Sequence, residues 1–398
     1  MKLQLHRTEY IDKITPYISK HIIKVITGMR RTGKSTLLEQ IVAKYDDAST
    51  IFIHREWSEY HFLTSDAELT PYLEERIRQG WITLLCVDEV QLVKNWERSI
   101  NAIYAKYSDI DIILTWSNSD LLSGELATLL SGRYIEFQIF PFAFHEYCKY
   151  FNKEMNEVSF GEYITFSGLP SLYELSSEEN IQTQWIDSLK DTIFLKDIVS
   201  RYAVRDVFLL EELFLWFANN MGNISNPSKL TKILTDKWIT TNHNTIGNYI
   251  EYMRRAFLIY EVPMYDLRGK QIFDHERKFY LADHIFRKKL FSGYDTWLSK
   301  ALENIIFMEG LRRWYDIFVG RWDDKEIDFV LEKNGKKIYI QVAYILTDET
   351  VIEREFGNLQ LIRDNWPKYV VTLDPLSHGI IDGIEHVRAW EMDRIFSE

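Results

Sequence analysis

The chain is nearly free of cysteine: Cys86 and Cys148 are the only two in 398 residues. Two thiols cannot build a disulfide framework, and their scarcity agrees with a reducing compartment. No run of about 18 uncharged apolar residues occurs, so no membrane span is expected. The opening Met1-Lys2-Leu3-Gln4-Leu5-His6-Arg7 lacks an apolar leader, and the expected location is cytoplasmic. Internal repeats and low-complexity tracts are absent as well. Positive charge is in deficit, with 47 Lys and Arg against 59 Asp and Glu and a net charge of −12. An acidic chain is a poor generic binder of nucleic acid, so any such contact must be local. Apolar residues, by contrast, make up 46% and aromatics 15%, ample for packed cores. The length suggests two or three domains.

The most informative stretch is Gly28-Met29-Arg30-Arg31-Thr32-Gly33-Lys34-Ser35, a G-x-x-x-x-G-K-[ST] loop. An apolar run, Ile22 to Thr27, precedes it and predicts a buried strand. Thr36-Leu37-Leu38-Glu39-Gln40-Ile41-Val42 follows and predicts a helix. The glycines let backbone N–H groups curl around an anion at a helix N-terminus. Residues Gly28, Arg30, Arg31, Thr32, Gly33, Lys34, Ser35 and Thr36 are thus candidates to hold a nucleotide. Lys34 would reach the β- and γ-phosphates, and Ser35 would ligate Mg²⁺.

A second apolar strand, Ile82 to Val87, ends in Asp88-Glu89. Strand ends meet the ligand in nucleotide-binding sheets. Asp88 is then a candidate for the Mg²⁺ shell and Glu89 for the catalytic base. A third strand, Asp111 to Thr115, runs into Trp116-Ser117-Asn118-Ser119. Ser117 and Asn118 are candidate γ-phosphate sensors; the alternative is helix capping by Ser119 or Asp120 ahead of a helix over Leu121 to Leu130. Arg133 follows Gly132 just past that helix. It is a candidate to supply charge to a phosphate, in cis or to a neighbouring subunit; a plain surface Arg is the other reading.

In these residues the chain resembles the AAA-type P-loop ATPases of bacteria and archaea whose C-terminal half is a domain of unknown function with a PD-(D/E)XK nuclease-like fold. Gly28 to Ser35, Val87-Asp88-Glu89-Val90-Gln91, Thr115 to Ser119 and Ser131-Gly132-Arg133 carry the resemblance. Ile139 to Tyr147 is similar to the family's apolar Pro-x-x-Phe-x-Glu stretch. The resemblance implies ATP as the nucleotide. One departure is Trp116, where the family usually has Gly. A bulky residue there is expected to crowd the nucleotide and slow hydrolysis more than it weakens binding.

The predicted fold class is α/β: a P-loop NTPase parallel sheet with a helical lid, then a winged-helix module, then a PD-(D/E)XK-like α/β domain. The expected domains are 1–150 for the ATPase core, 151–205 for the lid, 206–285 for the winged helix and 286–398 for the nuclease-like domain. In the winged helix, the third helix is expected over Asn244 to Leu258, with Asn244, Thr245, Asn248, Arg254 and Arg255 outward. From Arg254 to Lys289 there are nine basic and five acidic residues, an excess of four, so this face could grip DNA phosphates. Winged helices also serve as protein-contact modules.

The last hundred residues predict a helix with Glu303, strands over Tyr315 to Arg321, Glu326 to Leu331 and Lys337 to Tyr344, a helix, and a final strand. Asn334-Gly335 is a hairpin signal. In active versions of the fold that this order resembles, carboxylates hold a divalent metal and a Lys orients the water. Glu303 and Asp328 supply two carboxylates. Gln341 and Ala343 stand where Glu and Lys are wanted, so a vestigial metal site of Glu303, Asp328 and Gln341 is expected, without nuclease activity. Three functions stay open: an ATP-driven switch or remodeller, an ATP-gated metal-dependent nuclease, and a nucleotide-binding regulator. Expected partners are the nucleotide, DNA through the winged helix, a protein target and further copies of the chain.

Overall fold

The computed structural model describes residues 5–119, 130, 132–175, 178–288 and 294–396. The helix expected over Leu121 to Leu130 lies, but for Leu130, outside the described residues. The chain forms two units, Met1–Phe140 with Arg255–Phe257, and Pro141–Arg254 with Leu258–Glu398.

In the first unit, apolar runs become strands that are wholly buried at the centre of a sheet and partly exposed at its two edges. These are β1 (Ile23–Thr27), β2 (Thr50–His54), β3 (Leu84–Asp88), β4 (Asp111–Trp116) and β5 (Tyr134–Gln138). They form one parallel sheet in the order β2-β3-β4-β1-β5. Parallel pairing needs helical crossovers, which cover both faces and explain why the central strands are largely apolar. One face packs Ile26, Cys86 and Ile113 against Leu37, Leu38 and Ile41 of α1 (Lys34–Val42). The other packs Val25, Val87 and Leu114 against Leu69 and Leu73 of α2 (Asp66–Gln79) and against Trp96 and Ile100 of α3 (Trp96–Lys106). The carboxyl ends of β1, β3 and β4 share one edge, and the candidate residues follow directly from it.

The second unit begins with α4 (Phe144–Phe151), α5 (Glu157–Phe166) and α6 (Glu179–Thr192). The Pro-x-x-Phe-x-Glu stretch has a structural reason here. Glu146 accepts from the Ala143 N–H at 2.9 Å and caps α4, while the Pro141 carbonyl accepts from Arg312 at 3.0 and 3.1 Å. Further on come α7 (Val207–Asn219), β6 (Ile224–Ser225), α8 (Pro227–Asp236) and α9 (His243–Arg255), followed by the hairpin β7 (Ile259–Asp266) and β8 (Gln271–Leu281).

The predicted order of the last hundred residues is present: α10 (Tyr294–Arg312), β9 (Asp316–Trp322), β10 (Lys325–Lys333), β11 (Lys336–Val342), α11 (Glu349–Gln360) and β12 (Lys368–Thr372). Asn334 and Gly335 both take positive φ, 53° and 75°, as the tight hairpin between β10 and β11 requires. β13 (Ile380–Ile381) and β14 (Ile384–Arg388) complete a nine-stranded sheet in the order β13-β14-β12-β11-β10-β9-β7-β8-β6. β7 pairs parallel with β9, so the hairpin at 259–281 and the strands after residue 315 form one continuous sheet. Among the described residues, no helix is long and apolar enough to cross a membrane.

Candidate functional site

The turn after β1 is shaped by two glycines. Gly28 lies at φ 141°, and a Cβ there would come within 2.2 Å of the Ile139 carbonyl oxygen. Gly33 sits at φ 94° as the N-cap of α1, a left-handed conformation that glycine adopts without strain. Thr32 is fully buried, and its hydroxyl donates to the Met29 carbonyl at 2.9 Å. Lys34 is 4% exposed, and its Nζ donates to the carbonyls of Gly28 and Met29 at 3.0 Å each. The ammonium therefore lies inside the loop. Arg30 is half-buried and Arg31 exposed, the latter at φ 67°. Ser35 and Thr36 open α1 half-buried.

An unexpected residue pins this loop. Arg7 is buried, and its Nη1 donates to the carbonyls of Thr32 and Phe140, both at 3.0 Å. Its guanidinium lies 4.3 Å from the ring centre of Tyr10. Nothing in the spacing around Arg7 marks it, since its partners are 25 and 133 residues away.

The Asp-Glu pair lies beside the loop. Ser35 lies near Asp88, which is wholly buried. Thr115 Oγ1 donates to Asp88 Oδ1 at 2.5 Å and accepts from the Glu89 N–H at 2.8 Å. His54 Nε2 lies 3.2 Å from Asp88 Oδ2, its ring stacked on Trp57. Burial pushes the Asp88 carboxyl above its usual range and nearby Glu89 adds to this, while Thr115, Ser35 and His54 pull it back. Glu89 takes φ 52°, and Gln91 Nε2 donates to its carboxylate. The same Gln91 amide donates to Ser117 Oγ at 3.0 Å. Ser117 and Asn118 are both fully buried at the end of β4. Thus Asp88, Thr115, Glu89, Gln91 and Ser117 form one connected polar chain, with Ser35 beside its Asp88 end. Sequence reasoning missed the links, Thr115 and Gln91, although both lie in stretches that carry the family resemblance.

Two expectations need correction. Trp116 does not face the α1 side of the sheet. It is 2% exposed within the opposite apolar cluster, its ring 5.1 Å from that of Trp96. Strand alternation turns the side chain away from the P-loop helix. Arg133 is not brought to the loop either. Its carbonyl accepts from Ile23 N–H at the start of β1, and the P-loop follows the end of that strand, roughly 16 Å on for five residues. Its guanidinium donates to Asn101 and lies over the Tyr104 ring, so it cannot reach a phosphate in cis.

Comparison with known proteins agrees with this geometry. A family described as "AAA domain" matches residues 20–148, and one described as "Domain of unknown function (DUF8612)" matches 157–292. A protein of Haemophilus influenzae described as uncharacterized is 34% identical over 394 residues, covering 96% of this chain and 97% of its own. An uncharacterized protein of Methanocaldococcus jannaschii is 30% identical, covering 84% and 77%. The chain belongs to the AAA-type P-loop ATPases that carry this C-terminal domain of unknown function. Solved structures with similar folds include Orc1 of Aeropyrum pernix in complex with DNA, at TM-score 0.32 and 8% identity over 73% of this chain and 92% of that one. Cdc6p of Pyrobaculum aerophilum gives TM-score 0.28 and 9% identity over 69% and 90%. Both likenesses are too distant to bear on function.

The second unit of this AAA-type ATPase holds another polar centre. Glu303 from α10 and Asp328 from β10 converge, as expected. They meet on an ammonium that the sequence did not point to. Lys278, from β8, is 2% exposed, and its Nζ lies 3.0 Å from Glu303 Oε1, 3.2 Å from Asp328 Oδ1 and 2.7 Å from Glu326 Oε1. Tyr280 donates to Glu303 at 2.8 Å, and Lys300 lies 3.2 Å from its other oxygen. The Val342 N–H donates to Asp328 Oδ2 at 2.9 Å. Gln341 adjoins this centre without facing the ammonium. Its Oε1 accepts from the Asp328 N–H at 3.4 Å, and its Nε2 donates to Glu355 at 3.0 Å. Ala343 sits in the apolar cluster with Phe356 and Leu359.

Burial pushes Asp328 up to about 7, against the pull of Lys278. Burial also opposes the charge on Lys278, but Glu303, Tyr280, Asp328 and Glu326 outweigh it and hold the ammonium well above its ordinary value. Burial would raise Glu303 too, yet Lys278 and Lys300 keep it below its ordinary value. Elsewhere, His145, Glu309 and Asp393 gather ligand atoms within 4.8 Å of one another. Arg312 and Arg313 hold Glu309, and Arg313 holds Asp393 at 2.7 Å, so the two carboxylates belong to an ion-pair network.

The basic face expected over Arg254 to Lys289 is thinner than its count. Lys278 and Arg287 are buried. Arg254 lies 2.7 Å from Glu251 and 3.1 Å from Glu261, and Arg277 is 2.5 Å from Glu261.

Proposed function

We propose that the protein is an ATP hydrolase whose nucleotide cycle drives a switch or remodelling step on a protein target held by the C-terminal modules. The connected chain from Asp88 through Thr115, Glu89 and Gln91 to Ser117, with Ser35 beside Asp88, carries this reading. Lys34, already inside the glycine loop, is placed to neutralise phosphate oxygens as a point charge. The Ser35 hydroxyl and the Asp88 carboxylate lie near each other, a hard-oxygen pair that would suit Mg²⁺. When bound, that ion would stabilise charge on the phosphates. Glu89 is the group to take a proton from the attacking water. Gln91 fixes its carboxylate and links it to Ser117, so a change at the phosphate end of β4 is felt at the base.

A protein target fits the second unit better than DNA, because the outward Arg254 and Arg277 are already paired with Glu251 and Glu261. The test is ATP turnover and nucleotide affinity in three proteins. Lys34→Ala should lose nucleotide binding while staying folded. Glu89→Gln should bind as the wild type does and turn over roughly a hundredfold more slowly, the usual contribution of a general base. Wild-type turnover in Glu89→Gln would sink the assignment.

A further inference from the structure

The oxygens around Lys278 Nζ come from two separate segments of chain, α10 for Glu303 and β10 for Glu326 and Asp328, while a third, β8, supplies the cation itself. Such a convergence of carboxylates ordinarily holds a divalent ion, because buried anions need a compensating cation. Here every oxygen of the inner pair already has a protein partner. Glu303 Oε1 takes Lys278 and Tyr280, and Oε2 takes Lys300. Asp328 Oδ1 takes Lys278, and Oδ2 takes the Val342 N–H. The wall around Glu303 is closed as well. Gly222 lies at φ 74°, and a Cβ there would come within 2.6 and 2.7 Å of the two Glu303 oxygens.

The spacing suits an ammonium. Oxygens at 2.7 to 3.2 Å are at hydrogen-bond distance from Nζ. A Mg²⁺ ion would want them at about 2.0–2.1 Å, and Ca²⁺ at about 2.3–2.6 Å. A second cation at the same point would also meet the full charge of Lys278 in a poorly screened interior.

We propose that Lys278 is the resident cation of the Glu303–Asp328 centre: its ammonium fills the place a divalent ion would take, excludes Mg²⁺ and Mn²⁺ from the wild type, and on removal leaves a carboxylate cage that binds Mn²⁺. The ion is built into the chain, so the centre keeps its charge balance without a metal supply.

The probe is Mn²⁺ alone, titrated into nucleotide-free full-length protein, with free Mn²⁺ read by its EPR signal and Tm read in parallel. Four proteins are compared: wild type, Asp328→Asn, Lys278→Met and the double variant Lys278→Met/Asp328→Asn. Wild type and Asp328→Asn should bind equal amounts of Mn²⁺, since any ion taken up lies elsewhere. Lys278→Met should gain one equivalent that the double variant lacks, and its Tm should rise with Mn²⁺ by more than that of the wild type or of the double variant. A Lys278→Met protein that folds only on addition of Mn²⁺ would support the proposal equally. A wild-type equivalent of Mn²⁺ that disappears in Asp328→Asn would overturn it. So would a Lys278→Met protein that gains neither an ion nor stability from Mn²⁺. If neither Met variant folds, the wild-type comparison with Asp328→Asn still decides whether the lysine excludes the ion.

Discussion

Thr115→Val is the sharpest probe of the ATPase centre. The exchange keeps shape and removes one hydroxyl. That hydroxyl sits at 0% exposure between two groups of different role, Asp88 Oδ1 at 2.5 Å and the Glu89 N–H at 2.8 Å. Each loses a buried partner, and each loss costs about 1–3 kcal/mol, more for the charged side. The expected destabilisation is therefore about 2–6 kcal/mol, read by denaturant unfolding of the nucleotide-free protein. Turnover should suffer separately. Glu89 holds a left-handed backbone at φ 52°, a conformation non-glycine residues keep only when their surroundings enforce it. Thr115 is part of that enforcement. A displaced base costs on the order of a hundredfold, because reactivity falls steeply with misplacement by about 1 Å.

Nucleotide affinity should change little, because Lys34 and the glycine turn do not touch Thr115. Thr115→Ser supplies the control: it retains the hydroxyl and should keep most of the turnover and stability. A Thr115→Val protein with wild-type turnover would mean that the bridge between Asp88 and Glu89 has no part in catalysis.

Other outcomes follow from the same geometry. Trp116→Ala should destabilise the protein by about 3–5 kcal/mol, the cost of emptying a large core site, with turnover per folded molecule nearly unchanged; faster turnover at unaltered stability would restore the idea that Trp116 crowds the nucleotide. His386 is 3% exposed, with Nδ1 accepting from the His378 N–H at 3.1 Å and Nε2 lying 2.8 Å from Thr372 Oγ1. Burial lowers its pKa from 6.5 to about 4, so the folded state favours the neutral ring. That contribution is fully present above pH 6.5 and is lost as pH falls through about 4, to a limit of roughly 3 kcal/mol at 1.36 kcal/mol per unit. His386→Gln should flatten this part of the stability profile between pH 7 and 4; an unchanged slope would count against the buried neutral imidazole. Wild-type protein should not nick plasmid DNA in Mn²⁺, and cutting that Asp328→Asn abolishes would reverse the reading of the second unit.

What could be read from the sequence was local. The P-loop is legible because glycine spacing, a flanking strand and a flanking helix lie within about twenty residues, and each constrains the backbone by itself. Asp88-Glu89 is legible because strand ends in a parallel sheet collect on one edge. Asn334-Gly335 announced the β10–β11 hairpin through its positive-φ preference. Arg7, Thr115 and Lys278 were not legible, since their roles depend on partners brought close by the tertiary fold. Trp116 misled for a related reason. Its position in the motif pointed toward the nucleotide, but strand alternation decides which face a side chain takes, and a single residue's shift reverses it.

Lys278 gives the broader lesson. Counted along the chain it adds to a basic surface; in the fold it is 2% exposed and surrounded by acids. Ala343, judged by motif, leaves the centre without a lysine. Yet a buried carboxylate pair requires a cation and is indifferent to which strand provides it. β11 would present a side chain at 343 among Phe356 and Leu359, where alanine packs well. β8 faces the carboxylates directly, so a lysine there satisfies them at shorter reach. A missing motif residue thus marks a missing position, while the charge it would have carried must be sought on every strand that faces the site.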